Sequence, residues 1–529
     1  MLRKTKIRLF AKLVTPRSAR CGSSALAAVF VIAAPAFAQF GPPAGSSQGA
    51  QATQLPLSGR STPTNGSAKT SEQPAPSTTS TVNTLSPNVQ VQGTYAGSTP
   101  GPGVRPFDGK LGLRDAIERG LAYNLGQSGA TQTLRQSEGI SKSARSYLLP
   151  NLNGSVTENV QTTDLKAFGF KFNFPGFAIP TVIGPFNYMD LRARLSQTVF
   201  DSAAINNYRA ASSVANADRY LVQDARELIV LAVGSTYLQV IAAKARLASE
   251  QGQVNSANAV YEQSVQQLAQ GLIAKVDADR NQVQVLTHQQ RLVSLQNDLA
   301  KQKINLARMI GLPANDQYDI TDEVPFSAAA PIGVDEALSQ ALQHRADLKA
   351  ADAQVRGAER ARGAARAERY PSLGVTADWG GIGTNPAQLE TTYTASATLK
   401  IPLWQGGKAE GDIQQSDAAL AQRRAEYEDL KGQIESDVRS AYLDLQAAAS
   451  QVEVAQKNVD VNKEALELTK QKVDVGVVDN VTYVQAQQEV TNAEFDYING
   501  VFAYNIAKLS LARAMGRAAD AFPEVLKLP

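Results

Sequence analysis

The chain has 529 residues, 43% of them hydrophobic and 19% charged, with 52 Lys and Arg against 49 Asp and Glu, two His and one Cys. That length exceeds what one ordinary domain needs. A formal net charge of +3 excludes a strongly basic nucleic-acid binder, and a single cysteine excludes a disulfide scaffold.

Residues 1–22 hold Arg3, Lys4, Lys6, Arg8, Lys12, Arg17 and Arg20 and no acid. An apolar run from Ser24 follows and closes on Ala36-Phe37-Ala38. Residues 1–38 are therefore read as a secretory signal with an A-x-A cleavage site, too short for a spanning helix. Without the signal, 45 Lys and Arg face 49 acids, so the remaining chain is slightly acidic and nothing points to nucleic acid. Cys21 leaves with the signal, and with it any disulfide or lipid-acceptor thiol.

Residues 39–105 are rich in Pro, Ser, Thr, Gly and Gln. Such a segment cannot bury enough surface to offset its ordering entropy, so disorder is expected, with Val89–Tyr95 a short piece able to pair as a strand. From Leu111 onward there is no run of about 20 apolar residues, the length a spanning helix needs.

From residue 106 the chain is duplicated. Ala116 and Pro150 recur as Ala337 and Pro371, both 221 residues on. Tyr237, Gly271 and Leu306-Ala307-Arg308 recur as Tyr442, Gly476 and Leu511-Ala512-Arg513, now 205 residues on. The first copy spans 106–313, a linker 314–330 follows, the second copy spans 331–517, and 518–529 form a tail. Each copy is expected to run helix, two strands, long helix, return helix.

The leading helices, about 113–148 and 334–369, run into Pro150 and Pro371, which hand over to strands. Strands are expected at 150–164 and 186–200 and again at 371–379 and 391–403. In the last of these, Tyr393, Ala395, Ala397, Leu399, Ile401 and Leu403 alternate with Thr394, Ser396, Thr398 and Lys400. That is period two over the length a tilted membrane strand requires. Met189, Leu191, Ala193, Leu195 and Val199 alternate likewise with Asp190, Arg192, Arg194 and Ser196. Phe200, Trp379 and Trp404 are candidate membrane-interface aromatics. A half-buried soluble sheet would alternate too. Four strands cannot close a barrel, and an open edge is forbidden in lipid, so membrane strands would need several copies of the chain.

The change of offset from 221 to 205 places an insertion between the first pair of strands. There Phe168, Phe170, Phe172 and Phe174 alternate, either as a strand facing lipid or as an aromatic loop at an outer mouth.

The long helices, about 203–269 and 405–473, would each reach roughly 100 Å at the α-helical rise. Leu430, Ile434, Val438, Ala441, Leu445, Ala448, Val452, Ala455 and Val459 step by three and four, the pattern of coiled-coil packing. They end at Gly271 and Gly476, and return helices of about 35 residues follow, ending at Gly311 and Gly516.

No H-E-x-x-H, G-x-S-x-G or Walker loop occurs. His288 and His344 lie in polar helical stretches without metal-ligand spacing and are expected on exposed faces. No catalytic constellation is present and no cofactor is expected.

Leu113-Arg-Asp-Ala-Ile-Glu, Val334-Asp-Glu-Ala-Leu, Ser146-Tyr-Leu-Leu-Pro-Asn-Leu152 and Ile401-Pro-Leu-Trp-Gln-Gly-Gly407, with the glycine turns and the closing Leu-Ala-Arg-x-x-Gly, resemble the TolC-type outer-membrane efflux family over about 110–517. The resemblance implies a mainly α chain with membrane β structure. It implies long antiparallel coiled-coil helices forming a periplasmic α-barrel, and four strands per chain contributing to a trimeric twelve-stranded β-barrel. It implies an exit duct for efflux or type I secretion in the bacterial outer membrane, spanning into the periplasm. Its partners would be outer-membrane lipids, a periplasmic adaptor and an inner-membrane pump of RND, ABC or MFS type. The alternatives are a periplasmic adaptor and a coiled-coil surface protein. Adaptors carry one hairpin and lack the duplication with membrane-type strands.

By the same resemblance, the tip turns Gly271, Leu272, Ile273, Gly476, Val477 and Val478 would dock the adaptor. Asp277, Asp279, Asp479, Thr482 and Gln485 would line the periplasmic constriction. The family often has two acids after the second turn; Thr482 and Gln485 stand there instead. A family arginine that latches the tip is replaced by Val478.

Overall fold

The computed structural model describes residues 66–72, 87–99, 107–169, 180–313, 318–322, 326–327, 332–475, 477–478 and 480–525. The expected signal at 1–38 lies outside them. Two compact units divide the chain: Val160–Phe186 belongs to one, and Ala50–Asn159 with Asn187–Pro529 forms the other. The described part of the first unit is residues 160–169 and 180–186, where Leu165 N donates to Thr181 O at 2.7 Å.

In the second unit, β1 (Gly66–Glu72) pairs antiparallel with β2 (Pro87–Gly93). The expected disorder of 39–105 therefore does not hold at this hairpin. Val89 and Tyr95 supply apolar anchors, both buried in the main core, and Val91 packs against it. Burial, then the charge of Asp224, pushes the Tyr95 phenol up to about 12.

β3 (Lys110–Leu111) leads into α1 (Leu113–Tyr123) and α2 (Leu125–Ser146). One continuous helix over 113–148 is thus corrected to two, broken at Asn124. There the side chain caps α2 by accepting from Gly126 N at 2.8 Å, and its amide donates to Tyr95 O at 2.8 Å. The strands β4 (Asn151–Asp164) and β5 (Val182–Phe200) follow. Asp201 caps α3 (Ser202–Ala269) by accepting from Ala204 N at 2.9 Å, a contact that contributes about 1 kcal/mol. α4 (Lys275–Ile310) returns, and β6 (Asp319–Ile320) pairs in parallel with β3 inside the stretch read as linker.

The second copy repeats the course. α5 (Val334–His344) and α6 (Ala346–Ala367) are again one expected helix broken in two, at Arg345. β7 (Ser372–Gly383) is longer than expected, and β8 (Glu390–Lys400) stops short of Pro402, which has no N–H to give a ladder. α7 (Lys408–Asp474) and α8 (Asn480–Ala514) complete the copy, and α9 (Ala518–Val525) turns most of the expected tail into helix.

The copies agree down to their helix ends. Leu272 N donates to Gln267 O and Val477 N to Lys472 O, both at 2.9 Å. Leu312 N donates to Ala307 O at 3.0 Å and Arg517 N to Ala512 O at 2.9 Å. These are six-to-one closures of the kind that left-handed glycines permit, and Gly271, Gly311 and Gly516 have φ of 73°, 77° and 71°. At Gly311 the requirement is double, since a Cβ would also stand 2.9 Å from that of Tyr123.

Among the described residues two large apolar cores and a small third one, Ala217 with Ala350 and Ala353, lie among the helices. One large core joins Leu113 and Ile117 of α1 to Ile229, Val233 and Tyr237 of α3, with Leu306 and Ile310 of α4 and Leu509 of α8. The other large core joins Ala337 and Ala341 of α5 to Ile434, Val438, Leu445 and Val452 of α7 and Tyr504 of α8. The three/four stepping is borne out: every member from Ile434 to Val459 is buried. Among the described residues one helix, α3, is long and apolar enough by length and composition to cross a membrane, although its apolar part is interrupted by Gly234-Ser235-Thr236 and Gln239. However, 72% of its most apolar window is buried within the chain, where it serves as the core helix.

Candidate functional site

The four long strands form one sheet in the order β4-β5-β7-β8. β5 runs antiparallel to β7 and β7 to β8, with Ala193 opposite Trp379 and Trp379 opposite Tyr393. Period two then sorts the side chains. Leu152, Val156 and Val160 of β4, Leu191 and Val199 of β5, Trp379 of β7, and Tyr393 and Leu399 of β8 are exposed apolar groups. The alternate positions carry the polar set. Arg192 pairs with Asp190 at 3.0 Å and with Asp378 at 2.5 Å, and the Thr376 and Ser396 hydroxyls meet at 2.8 Å. Among the described residues, the outer edges of β4 and β8 have no strand partner.

Phe200, 50% exposed, ends β5, and Trp404, 89% exposed, follows β8, so both stand where strand gives way to helix. Phe200 is in register with Leu373, six positions from Trp379. Trp379 and Tyr393 therefore sit about 20 Å further along the sheet, at the usual rise per residue. Phe168 is an exposed residue of the turn after β4; Phe170, Phe172 and Phe174 lie outside the described residues.

At the far end of the helices are the two turns. Leu272 is 68% exposed and Val477 71% exposed, while Ile273 and Val478 are half-buried. Asp277 opens α4 and pairs with Arg280 at 3.4 Å; Asp279 is exposed. Thr482 is half-buried and Gln485 exposed on the first turns of α8. Gly476 and Asp479 lie outside the described residues.

Two exposed apolar stripes escaped the sequence reading. Val454, Val461, Leu468 and Val475 recur every seventh residue to the end of α7, and Val276 with Val283 and Leu286 with Val293 keep the same interval on α4. All are exposed, on helices whose other heptad seam is already buried. The signal was present as a second seam of period seven, masked by the stronger one.

His288 was expected on an exposed face and is instead buried, with Nδ1 2.7 Å from Oε1 of the fully buried Glu250. Polar neighbours in sequence hid a partner 38 positions away.

A family model described as "Outer membrane efflux protein" matches residues 128–312 and 337–517. The chain is similar to outer membrane protein OprJ of Pseudomonas aeruginosa, 25% identical over 71% of this chain and 78% of the relative. It is similar to the probable efflux pump outer membrane protein SepC of Pseudomonas putida, 23% identical over 77% of this chain and 84% of the relative. Among solved structures, the outer membrane protein VceC of Vibrio cholerae superposes with a TM-score of 0.66 at 18% identity, covering 77% of this chain and 97% of that one.

Proposed function

As a member of the outer membrane efflux protein family, the chain is an outer-membrane efflux duct reaching into the periplasm, and we propose that it works as a homotrimer with one twelve-stranded barrel. The observation that carries this is a four-stranded sheet with one apolar exposed face and two edges without a strand partner among the described residues. In lipid each unpaired backbone group costs several kcal/mol, so copies must close the ring edge to edge, β8 of one against β4 of the next. The two stripes on α4 and α7 support the same assembly below the membrane. Exposed apolar positions at heptad spacing are unfilled coiled-coil seams, and a neighbouring copy fills them. Phe200 and Trp404 would mark one membrane interface, and Trp379 with Tyr393 the other.

The duct is passive. An inner-membrane pump would supply the energy through a periplasmic adaptor that docks on Leu272, Ile273, Val477 and Val478. The arrangement does not depend on whether the pump is of RND, ABC or MFS type. Asp277, Asp279, Asp479, Thr482 and Gln485 would line the tip. Membrane fractionation with the native mass of the detergent-purified protein tests the assembly. Three chains per particle from the outer-membrane fraction are expected; a monomer in the soluble periplasmic fraction would refute it.

A further inference from the structure

The joint between β8 and α7 holds a cavity of about 380 Å³, with Arg369, Leu403, Trp404, Gln405 and Glu410 among its walls. One wall is apolar. Leu399, Ile401 and Leu403 continue the alternation that begins at Tyr393, and all three are exposed, as is Trp404. The other wall is charged and polar. Arg369, just past the end of α6, pairs with Glu410 of α7. Gln405 donates from Nε2 to Glu368 O at 3.0 Å, which fixes its amide, and its Oε1 is buried without a hydrogen-bond partner. The nearby Lys408 is already held by Glu368 at 2.5 Å and Asp412 at 2.7 Å. The cavity therefore offers one guanidinium, one carboxylate and one unused acceptor.

The first copy makes the same turn from strand to helix without these charges. By the 221- and 205-residue offsets, Leu148 stands where Arg369 does and Ile205 where Glu410 does. The turn itself thus does not require them. The cavity also lies between the helix that precedes β7 and the one that follows β8, away from the β8 edge at which a further copy would join. An apolar line that leaves the lipid face of a sheet and ends in a polar cavity fits a molecule with acyl chains and a charged head.

We propose that this cavity is a headgroup site for a zwitterionic aminophospholipid, with its phosphate on Arg369, its ammonium on Glu410 and Gln405 Oε1, and its chains along Leu403, Ile401 and Leu399. A guanidinium matches a phosphate through parallel N–H donors. An ammonium brings only donors, which an orphan carbonyl oxygen can accept. The indole of Trp404 belongs at headgroup level, where an apolar ring meets water. The Arg369–Glu410 pair is exposed on both sides, so opening it costs little. A ligand bearing both charges then serves each partner, whereas a simple anion leaves Glu410 unpaired.

The proposal rests on the duct reading, which puts Trp404 at a membrane interface. Native mass spectrometry of the full-length protein, released in mild detergent and titrated with phosphatidylethanolamine or phosphatidylglycerol, separates the two. The mass of the bare particle tests the assembly, and the adducts per chain test the site. One saturable phosphatidylethanolamine per chain is expected, bound at least threefold more tightly than phosphatidylglycerol. Phosphoethanolamine, which has the headgroup and no chains, should not displace it. Arg369→Ala should weaken phosphatidylethanolamine binding at least threefold. Glu410→Gln should remove the preference between the two lipids, and it serves if the alanine variant fails to assemble. Equal affinity for the two lipids, displacement by phosphoethanolamine, or unchanged binding in either variant overturns the site. An oligomer without saturable adducts overturns the site alone; single chains that bind the lipid as described would overturn the assembly and support the site.

Discussion

Arg345 Nη1 donates to Asp437 Oδ2 at 3.0 Å, while Nε and Nη2 of the same guanidinium hold both oxygens of Asp347, at 3.0 and 2.6 Å. Arg345 stands at the break between α5 and α6, so the ion pairs bind that joint to α7. The corresponding joint of the first copy is Asn124, held by neutral hydrogen bonds to the backbone. Burial works against the Asp347 carboxylate, but Arg345 outweighs it and holds the group below the usual carboxylate range. Removing one partner of a buried pair leaves an uncompensated charge, at a cost of about 3 kcal/mol. Arg345→Ala should therefore lower the melting temperature of the purified protein markedly, and Arg345→Lys should recover only part, because an ammonium lacks the planar fork that serves Asp347 and Asp437 together.

Asp218 of α3 is 6% exposed and accepts a hydrogen bond from the Ser137 hydroxyl of α2. Burial raises its pKa and the Ser137 bond only partly opposes this. The folded state thus holds the proton more tightly than the unfolded chain, and the associated stability is present at acid pH and lost as pH rises through the folded value. Asp218→Asn keeps an acceptor for Ser137 without the charge. Its melting temperature should exceed the wild type's at pH 7, and the difference should shrink toward pH 4. A constant difference across that range would show that the charge is not the cause.

Much of this molecule was legible in its residues, and the parts that were not share a cause. Strand alternation through Tyr393 and Leu399 and the seam from Ile434 to Val459 are local patterns, written by side chains that must face one way. The breaks at Asn124 and Arg345 are not: no proline or glycine occupies either position, and the Arg345 partner Asp437 is 92 residues away. The docking of Val89 and Tyr95 was hidden by the low-complexity sequence around them. His288 was misjudged because its polar neighbours describe an exposed face, whereas Glu250 decides its surroundings. At the turns, Leu272 and Val477 are exposed, as a docking surface requires.

On the proposed reading the tip would carry Thr482 and Gln485 where the family resemblance implies two acids, and Asp277 is paired with Arg280. A ring of hydroxyls and amides attracts cations less than a ring of carboxylates. Divalent cations added on the tip side should block reconstituted channels only weakly, and Thr482→Asp should strengthen the block severalfold. Micromolar block of the unmodified channel would contradict this account of the tip.

The stripe on α7 predicts its own disruption. Val461 and Leu468 are 64% and 49% exposed in the single chain, and burial between copies would make them intolerant of charge. Val461→Glu with Leu468→Glu should shift the native mass from oligomer to monomer without changing helix content. An intact oligomer would place the seam elsewhere.

On the sheet, Ala397 lies opposite Val375, between the aromatic pairs. A cation on the lipid face near mid-membrane costs roughly 2–4 kcal/mol. Ala397→Arg should reduce the amount of assembled protein in the outer-membrane fraction, whereas Ser396→Arg, on the opposite face, should not. Equal effects of the two would mean that the faces are wrongly assigned.

The most direct test of the central claim is the single-channel current of the purified full-length protein in a planar lipid bilayer. A closed barrel made from the sheets of several copies, continued by the paired helices, predicts discrete, long-lived conductance steps. Membrane-inserted protein that never carries current at any voltage would contradict it.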